Sequence, residues 1–537
     1  MRGLVVADSK RIVEQLTGRI AALSFELSQH LERHLFFLYW RSREIAEAPE
    51  DRFGCGELAG QLAAAILSFR NAVNANGEFV RYKTLVGFES VFSFHWEDDS
   101  LDHKKAEDHR RACVSQYVNE ISEENEEEWH RIIERCAATK SNDLAMFPVF
   151  GDFLGALARA KPAIAERILE RANDDVLNFL AAFLNGFFES GDREIYERNI
   201  ERSLARGTHL SGIARHWRLC KPDHPAFIDR VLGQAIAAGD DRAVVECVAL
   251  TVASQGSEAQ PALESFFAPA LRYLTARNNA SWLHEAWFLR EMEAFFAELP
   301  APMVELVLTN LEVVPKIDAH VERILACIAA SHSEMVWAYF GRRLDHKQGE
   351  NQKGDYEAVP YGLHGLDKKL SRNPASAVAI VRSWYRPDDI LFEFGGAQLL
   401  SAVFPAFPPA FAQILSEMAA HGSDDDIGFV LTVLRKYQGQ PATHDVVKEL
   451  VVRLPADDPR LMKVEISLQM TGVVSGEFGF VEAYTAKKGA IASWLDDERP
   501  RVREFAEQYM KKLDRMAAAE QRRAEQRREL RRREFES

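Results

Sequence analysis

Apolar residues recur at helical spacing along most of this chain. Between about residues 142 and 515 they occupy positions i, i+3 or i+4, and i+7 in segments of roughly 12–20 residues, each closed by Gly, Pro, Asn or Asp. The segments 150–160, 176–188 and 244–253 are examples. Runs of alternating β-branched residues that are long enough for a sheet are scarce. The pattern therefore predicts an all-α protein.

The number and length of these segments predict stacked helix pairs. About twenty short helices joined by short turns fit antiparallel hairpins of about 35–45 residues, the usual size of a helical repeat. One hairpin has too little apolar surface to fold alone, so it buries that surface against its neighbours. We therefore expect an α-solenoid of degenerate helical hairpins that ends in an Arg/Glu-rich helix.

The clearest repeat unit lies near the C-terminus, at residues 495–513. Asp496 or Asp497 can cap a helix N-terminus, and Pro500 suits the first turn of the helix that follows. Four apolar residues of this helix share one face and are expected to pack on the preceding helix: Val502, Ala506, Met510 and Leu513.

This unit resembles the second helix of a HEAT repeat, in which an acidic turn and a proline precede Val-Arg and then a small residue. The resemblance implies that Arg503, which follows the valine, pairs with the turn aspartate of a neighbouring repeat. Weaker versions of the acidic turn occur at residues 457–462, 239–241 and 423–426. The fold is used for many functions, so the resemblance implies no particular one.

Composition divides the chain into three predicted parts. Residues 1–110 are the least repeat-like and are expected to form an N-terminal helical cap, with a polar and aromatic insertion from about residue 76. Residues 111–515 carry the repeat array. Residues 516–537 are rich in Ala, Glu, Gln and Arg, lack an apolar stripe, and predict a charged C-terminal helix.

The charge balance limits the partners that the chain can take. The sequence of 537 residues has 66 Lys and Arg against 81 Asp and Glu, a net charge of −15. A surface that wraps nucleic acid along its whole length needs the opposite sign. The six cysteines include no C-x-x-C pair, which argues against a cysteine zinc site and favours a reducing, cytoplasmic compartment. No apolar run approaches the roughly 20 residues of a membrane-spanning helix.

A group of histidines and aspartates at residues 95–109 is the first candidate for chemistry. His95, Asp99, His103 and His109 are residue types that bind zinc, manganese or iron. Asp99 and His103 share a face if the segment is helical. The spacing matches no established zinc motif, so the alternative is a solvated charged loop that leads into a helix. A metal-dependent enzyme remains one hypothesis, and it requires the three histidines to converge on one cavity.

The arginines of the C-terminal segment are the second candidate. Pairs of arginines recur at five-residue spacing or closer, which spreads them around a helix rather than along one stripe. The glutamates between them offer i,i+3 and i,i+4 ion pairs. The segment is therefore either a solvated helix or a contact for nucleic acid or an acidic partner. The residues concerned are Arg522, Arg523, Arg527, Arg528, Arg531 and Arg532.

An acidic run at residues 120–128 holds six glutamates in nine positions. Such a run can attract a basic partner, but it also suits the start of a solvated helix, where negative charge meets the positive end of the helix dipole. The sequence contains no catalytic motif and no cofactor motif that we accept.

The leading hypothesis is a non-enzymatic helical-repeat scaffold or sensor that binds a macromolecular partner, most simply a protein, on a curved surface. The chain also looks like the helical-repeat half of larger multidomain bacterial proteins, in which such arrays serve as sensor or assembly regions. By that analogy an effector or ATPase module is encoded elsewhere.

Overall fold

A computed structural model describes residues 2–48, 54–87, 90–98, 101–141, 146–220, 225–254, 263–348, 355–387, 389–471 and 474–536. Every regular element in these ranges is helical, which confirms the all-α prediction. The chain divides into two compact units, residues 1–250 and 251–537. The boundaries predicted at residues 110 and 515 fall inside helices, and that three-part division remains a prediction.

Unit 1 begins with long helices and continues with shorter ones. Its α-helices are α1 Arg2–Thr17, α2 Phe25–Ala46, α3 Gly56–Asn74, α4 Gly77–Leu85, α5 His95–Asp98, α6 His103–Glu120, α7 Glu126–Ala137, α8 Pro148–Ala160, α9 Pro162–Glu170, α10 Asp174–Leu177, α11 Leu180–Ser190, α12 Arg193–Arg206, α13 Leu210–Cys220, α14 Pro225–Ala238 and α15 Asp241–Ala253, with a 3₁₀ turn at Ile20–Ala22.

Unit 2 contains the remaining helices. They are α16 Ala268–Ala276, α17 Trp282–Trp287, α18 Met292–Ala297, α19 Ala301–Leu311, α20 Ala319–Gln348, α21 Asp367–Leu370, α22 Pro374–Trp384, α23 Ile390–Phe394, α24 Gly396–Val403, α25 Pro409–His421, α26 Asp424–Arg435, α27 His444–Arg453, α28 Arg460–Gln469, α29 Gly479–Ala490 and α30 Pro500–Glu536. A π-helix at Leu263–Phe267 and 3₁₀ helices at Pro441–Thr443 and Ala492–Asp496 complete the unit. Helix α20 is kinked at His332, whose φ of −131° and ψ of 49° are not helical.

The helices of unit 1 after residue 103 pack in two successive layers. In one layer α6 contacts α8, α8 contacts α11, and α11 contacts α13. In the other layer α7 contacts α9, α9 contacts α12, and α12 contacts α14. Hairpin partners such as α8 and α9 join the layers, and the apolar residues between them, Phe153 and Phe187 among others, are fully buried.

Ion pairs link the helices of the second layer. Glu126 of α7 binds Arg167 and Arg171 of α9, each at 2.7 Å. The next pair of helices in this layer is linked in the same way, since Arg198 of α12 binds Glu166 of α9 at 2.8 Å. The acidic run at residues 120–128 is thus engaged by neighbouring arginines. Exposed pairs of this kind contribute roughly 0.2–1 kcal/mol each, so they set the register of the helices more than their stability.

The described part of the predicted N-terminal insertion is packed against the first helices, and some of its polar residues are buried. Lys83 of α4 donates to both carboxylate oxygens of Glu32 in α2, at 3.1 and 2.8 Å, and to the carbonyl of Val91 at 2.7 Å. Arg110 of α6 is also buried and donates to the carbonyl oxygen of Thr84 at 2.7 Å. The Lys83–Glu32 pair holds α4 to α2, and the other two contacts join parts of the predicted insertion to one another.

Unit 2 repeats the layered packing. Helices α22, α24, α26 and α28 contact one another in succession, and α25, α27 and α30 form a second succession beside them. The HEAT-like unit lies at its end. Helix α30 begins at Pro500, and Val502, Ala506 and Leu513 are buried as expected, while Met510 is half-buried.

Arg503 makes different contacts from those that the HEAT resemblance implies. Its Nη1 donates to the carbonyl oxygens of Asp497 and Glu498 in its own turn, at 2.7 and 3.0 Å. The carboxylate of Asp497 is bound instead by Arg499 and by Lys448 of α27. Arg503 therefore closes its own turn, and other cations make the link to the neighbouring helix.

Two turns in unit 2 share an Asp-x-Arg arrangement. In each, the aspartate accepts from the backbone N–H and the guanidinium of the arginine two residues later, which occurs at Asp458 with Arg460 and at Asp497 with Arg499. The free side of each guanidinium reaches an acid earlier in the chain: Arg460 binds Asp424 at 2.6 Å, and Arg499 binds Glu449 at 2.8 Å. The arrangement thus ties each turn to a helix earlier in the chain, the 458–460 turn to α26 and the 497–499 turn to α27.

The charged C-terminal segment is the continuation of α30. Ala524 is buried, and Arg531 binds Glu477 at 2.9 Å, so this part of the helix lies along the chain before α29. Among the described residues, no helix combines the length and the apolar character that crossing a bilayer requires.

Candidate functional site

Two of the histidines at residues 95–109, His95 and His109, pack against Phe92 and Phe94. The His95 ring lies 4.3 Å from the Phe94 ring, and its Nδ1 accepts from the backbone N–H of Phe92 at 3.1 Å. The His109 ring lies 4.8 Å from the Phe92 ring and 5.5 Å from the Phe94 ring. Burial lowers the pKa of both histidines.

His103 is exposed at the first position of α6, and Asp99 lies outside the described residues. Across the described chain no three His, Cys, Asp or Glu side chains are placed so that they could hold a metal ion. The three histidines therefore do not form the single cavity that the metal-dependent enzyme hypothesis requires.

The six arginines proposed to bind a partner are all exposed on α30. Arg523 pairs with Glu520 at 2.6 Å, and Arg531 pairs with Glu477. The helical spacing of the six arginines spreads their positions around the axis of α30. The segment offers scattered positive charge rather than one basic stripe.

A groove of about 640 Å³ lies on the first layer of helices in unit 1. Four elements form it: α6 and α13 supply the walls, and α8 and α11 supply most of the floor. Small residues dominate the floor, and longer polar side chains rise around it. The lining of the groove includes Arg111, Gly151, Asp152, Gly155, Arg159, Asn178, Asn185, Gly186, Glu189, Arg215 and Leu219.

Two glycines of the floor are required by helix packing. A Cβ on Gly186 of α11 would stand 2.2 Å from the carbonyl oxygen of Gly155 and 2.6 Å from the Cβ of Ala158. A Cβ on Gly155 would stand 3.3 Å from the carbonyl oxygen of Ala182. The backbones of α8 and α11 can approach this closely only because both positions lack a side chain.

Gly151 differs from these glycines because nothing in the chain needs it. It lies inside α8, where glycine costs up to about 1 kcal/mol relative to alanine. A Cβ at this position would meet no atom within 4 Å. The missing side chain therefore leaves open space in the groove without improving any internal contact.

A buried relay orients Asn185 in the groove wall. His216 of α13 is fully buried, and burial lowers its pKa to about 3, so the ring is neutral. Its Nδ1 donates to the Oδ1 of Asn185 at 2.5 Å, because that oxygen can only accept, and its Nε2 accepts from the hydroxyl of Tyr196 at 2.8 Å. The Sγ of Cys220 is 3.4 Å from the same Oδ1. These contacts occupy Oδ1 and leave the Asn185 amide N–H₂ as the group for a bound molecule.

The charges around the groove are paired across helices. Arg111 of α6 binds Asp152 of α8, and Arg159 binds Glu189 of α11 at 3.1 Å. Arg215 of α13 donates to Glu246 of α15, whose side chain is buried, with an Nε to Oε1 distance of 2.8 Å. The groove therefore presents alternating charges and neutral amides rather than a field of one sign.

Sequence reasoning did not identify the groove. Its residues lie on four helices spaced over more than a hundred positions, so no short motif contains them. Two local signals were available: Gly151 and Gly155 interrupt an apolar helical segment, and Asn185 interrupts another. A glycine or an amide inside such a segment indicates a packing or a binding role.

Comparison with known proteins adds no family to this description. No protein-family model, no curated protein sequence and no solved structure matches the chain. The resemblance of residues 495–506 to a HEAT repeat therefore stays a prediction, and any function has to be argued from the geometry.

Proposed function

We propose that this protein is a non-enzymatic helical-repeat scaffold that binds a segment of a protein partner in the groove between α6 and α13. The observation that carries the proposal is Gly151, a glycine in the first turn of α8 whose absent side chain opens the groove floor and serves no internal contact. A glycine placed in this way permits the close approach of another backbone.

The packing of each unit supports a repeat architecture. The helices of one layer contact one another in succession, as in α6, α8, α11 and α13, which is the relation expected in a HEAT-like solenoid. The repeated Asp-x-Arg turns at residues 458–460 and 497–499 are consistent with duplicated units. Solenoids commonly use an extended layer of helices to bind partners.

The chemistry of the groove favours a polypeptide over a nucleic acid. Phosphate recognition needs cations whose charge is not already neutralised. The three groove arginines Arg111, Arg159 and Arg215 each bind a carboxylate. A neutral amide such as Asn185 can donate to a backbone carbonyl, and Asn178 at the N-terminal end of α11 is exposed to do the same.

Capture from the native host tests the proposal, with two substitutions at one position. Gly151→Phe places a ring in the groove from a position whose Cβ meets no atom within 4 Å, so we expect the variant to fold and to lose the captured partner. Gly151→Ala adds only one methyl group at the same position, so we expect it to weaken capture less than Gly151→Phe does. Loss of the same partner in Glu194→Ala, a change on the second layer of helices, would place the contact elsewhere and contradict the proposal.

A further inference from the structure

Unit 2 contains a second concave site that the proposed function does not use. It is a cavity of about 470 Å³, within the range that holds small organic ligands. The second half of α20, residues 358–359, the end of α22 and the segment around α23 surround it. From its lining we infer that it binds a free aromatic amino acid.

Aromatic rings form one side of this cavity, and two of them are held in place. The indole of Trp384 lies against Gly341, where a Cβ would stand 3.0 Å from the ring, so the glycine makes room for the indole. The Phe392 ring is buried and packs 5.2 Å from the Tyr385 ring and 5.7 Å from the Phe429 ring. Rings fixed by their neighbours lose little freedom when a flat ligand stacks on them.

The third ring is exposed. Phe394 lines the same cavity with 64% of its surface accessible, and the ammonium of Lys436 lies 4.9 Å from its ring centre. An exposed phenylalanine beside a cavity that already has two aromatic walls gains apolar contact when an aromatic ligand enters. This accounts for the aromatic part of the ligand.

The polar part of the lining carries both signs of charge. Lys347 and Arg386 supply two cations, and Asp345 supplies a carboxylate. A zwitterion has a partner for each end among these three groups, whereas a ligand with one charge is attracted by only one of the two signs. An α-amino acid with an aromatic side chain combines the required ring, ammonium and carboxylate in one small molecule.

Isothermal titration calorimetry of the full chain with L-tryptophan tests this inference. We expect saturable binding to one site, weakened about tenfold by Phe394→Ala and by Arg386→Ala, since each removes one class of contact. Both side chains are exposed, so these variants should fold. Phe288→Ala removes another exposed phenylalanine of unit 2 and should leave the affinity unchanged.

Two analogues separate the charge requirement from simple apolar binding. Tryptamine lacks the carboxylate and indole-3-propionate lacks the ammonium, and each should bind about tenfold more weakly than tryptophan. Three results would overturn the inference: no saturable binding of tryptophan, phenylalanine or tyrosine; equal affinity in the Phe394 and Arg386 variants; or equal affinity for the analogues. None of these results bears on the groove of unit 1.

Discussion

Gly186 of α11 and Gly155 of α8 are in backbone contact, since a Cβ at Gly186 would stand 2.2 Å from the carbonyl oxygen of Gly155. One turn before Gly155 in α8, Gly151 has no such neighbour, and its side-chain position opens into the groove. Two glycines four residues apart on one helix therefore have different consequences. Gly155 allows α8 and α11 to approach each other, and Gly151 leaves a space that the chain itself does not fill.

This contrast predicts opposite effects of the same substitution on stability. Gly186→Ala places a methyl group against rigid backbone, so we expect it to lower the free energy of unfolding by about 1–3 kcal/mol. Gly151→Ala relieves the cost of glycine in a helix and should raise the free energy of unfolding by up to about 1 kcal/mol. Urea unfolding monitored by circular dichroism measures both changes. Equal destabilisation by the two variants would show that Gly151 also has a packing role.

The buried ring of His216 makes stability depend on pH. Its pKa is about 3 in the folded protein, against about 6.5 in the unfolded chain. Between these values the unfolded state binds the extra proton, so the contribution to stability is complete above about pH 6.5 and is lost as the pH falls toward 3. The slope for one proton is about 1.4 kcal/mol per pH unit.

Urea unfolding at pH 7 and pH 5 checks this dependence. His216→Gln should lose less stability than the natural protein over this interval, by about 2 kcal/mol, although it is less stable at pH 7. His421→Gln, which changes an exposed histidine, serves as control and should keep the natural slope. An identical slope in the His216 variant would mean that the ring is not buried in a neutral form.

Arg343 is expected to be irreplaceable by lysine. Its guanidinium is fully buried and donates to the carbonyl oxygens of Val314 and Glu357, at 2.8 and 2.7 Å, and to several others nearby. Lysine cannot reproduce this planar set of donors, so Arg343→Lys should cost about 3 kcal/mol or more in unfolding free energy.

The adjacent Arg342 provides the matched comparison. It is partly exposed and binds the carboxylates of Glu305 and Glu312, which lysine can also reach as a single charge. Arg342→Lys should therefore cost less than about 1 kcal/mol. If the two lysine variants unfold at the same urea concentration, the buried hydrogen bonds of Arg343 are not the source of its importance.

Sequence periodicity predicted the helices because each has an apolar face that repeats locally. Val502, Ala506 and Leu513 are buried on the face that their spacing indicated. The same reasoning failed for Lys83, which was included in a polar insertion but is buried against Glu32. That ion pair joins residues 51 positions apart, and no local pattern reveals a partner at that distance.

The candidate site was less predictable than the fold for the same reason. The role of Asn185 depends on His216 and Tyr196, which lie on two other helices and become its neighbours only after folding. The histidines at residues 95–109 are close in sequence, but His95 and His109 each pack against the rings of Phe92 and Phe94. Proximity along a chain predicts a site only when the backbone between the residues turns their side chains to one point.

The proposed binding of a partner protein in the groove of unit 1 can be detected at the residues that form it by site-specific photocrosslinking in the native host. A photoreactive amino acid at Ser115, on the groove wall, should yield a crosslinked partner, and this product should disappear when Gly151→Phe is added. The same amino acid at Glu194, exposed on the second layer of helices, should yield no such product. Crosslinking from position 194 alone, or a product from position 115 that persists in the Gly151→Phe variant, would show that the partner does not bind in this groove.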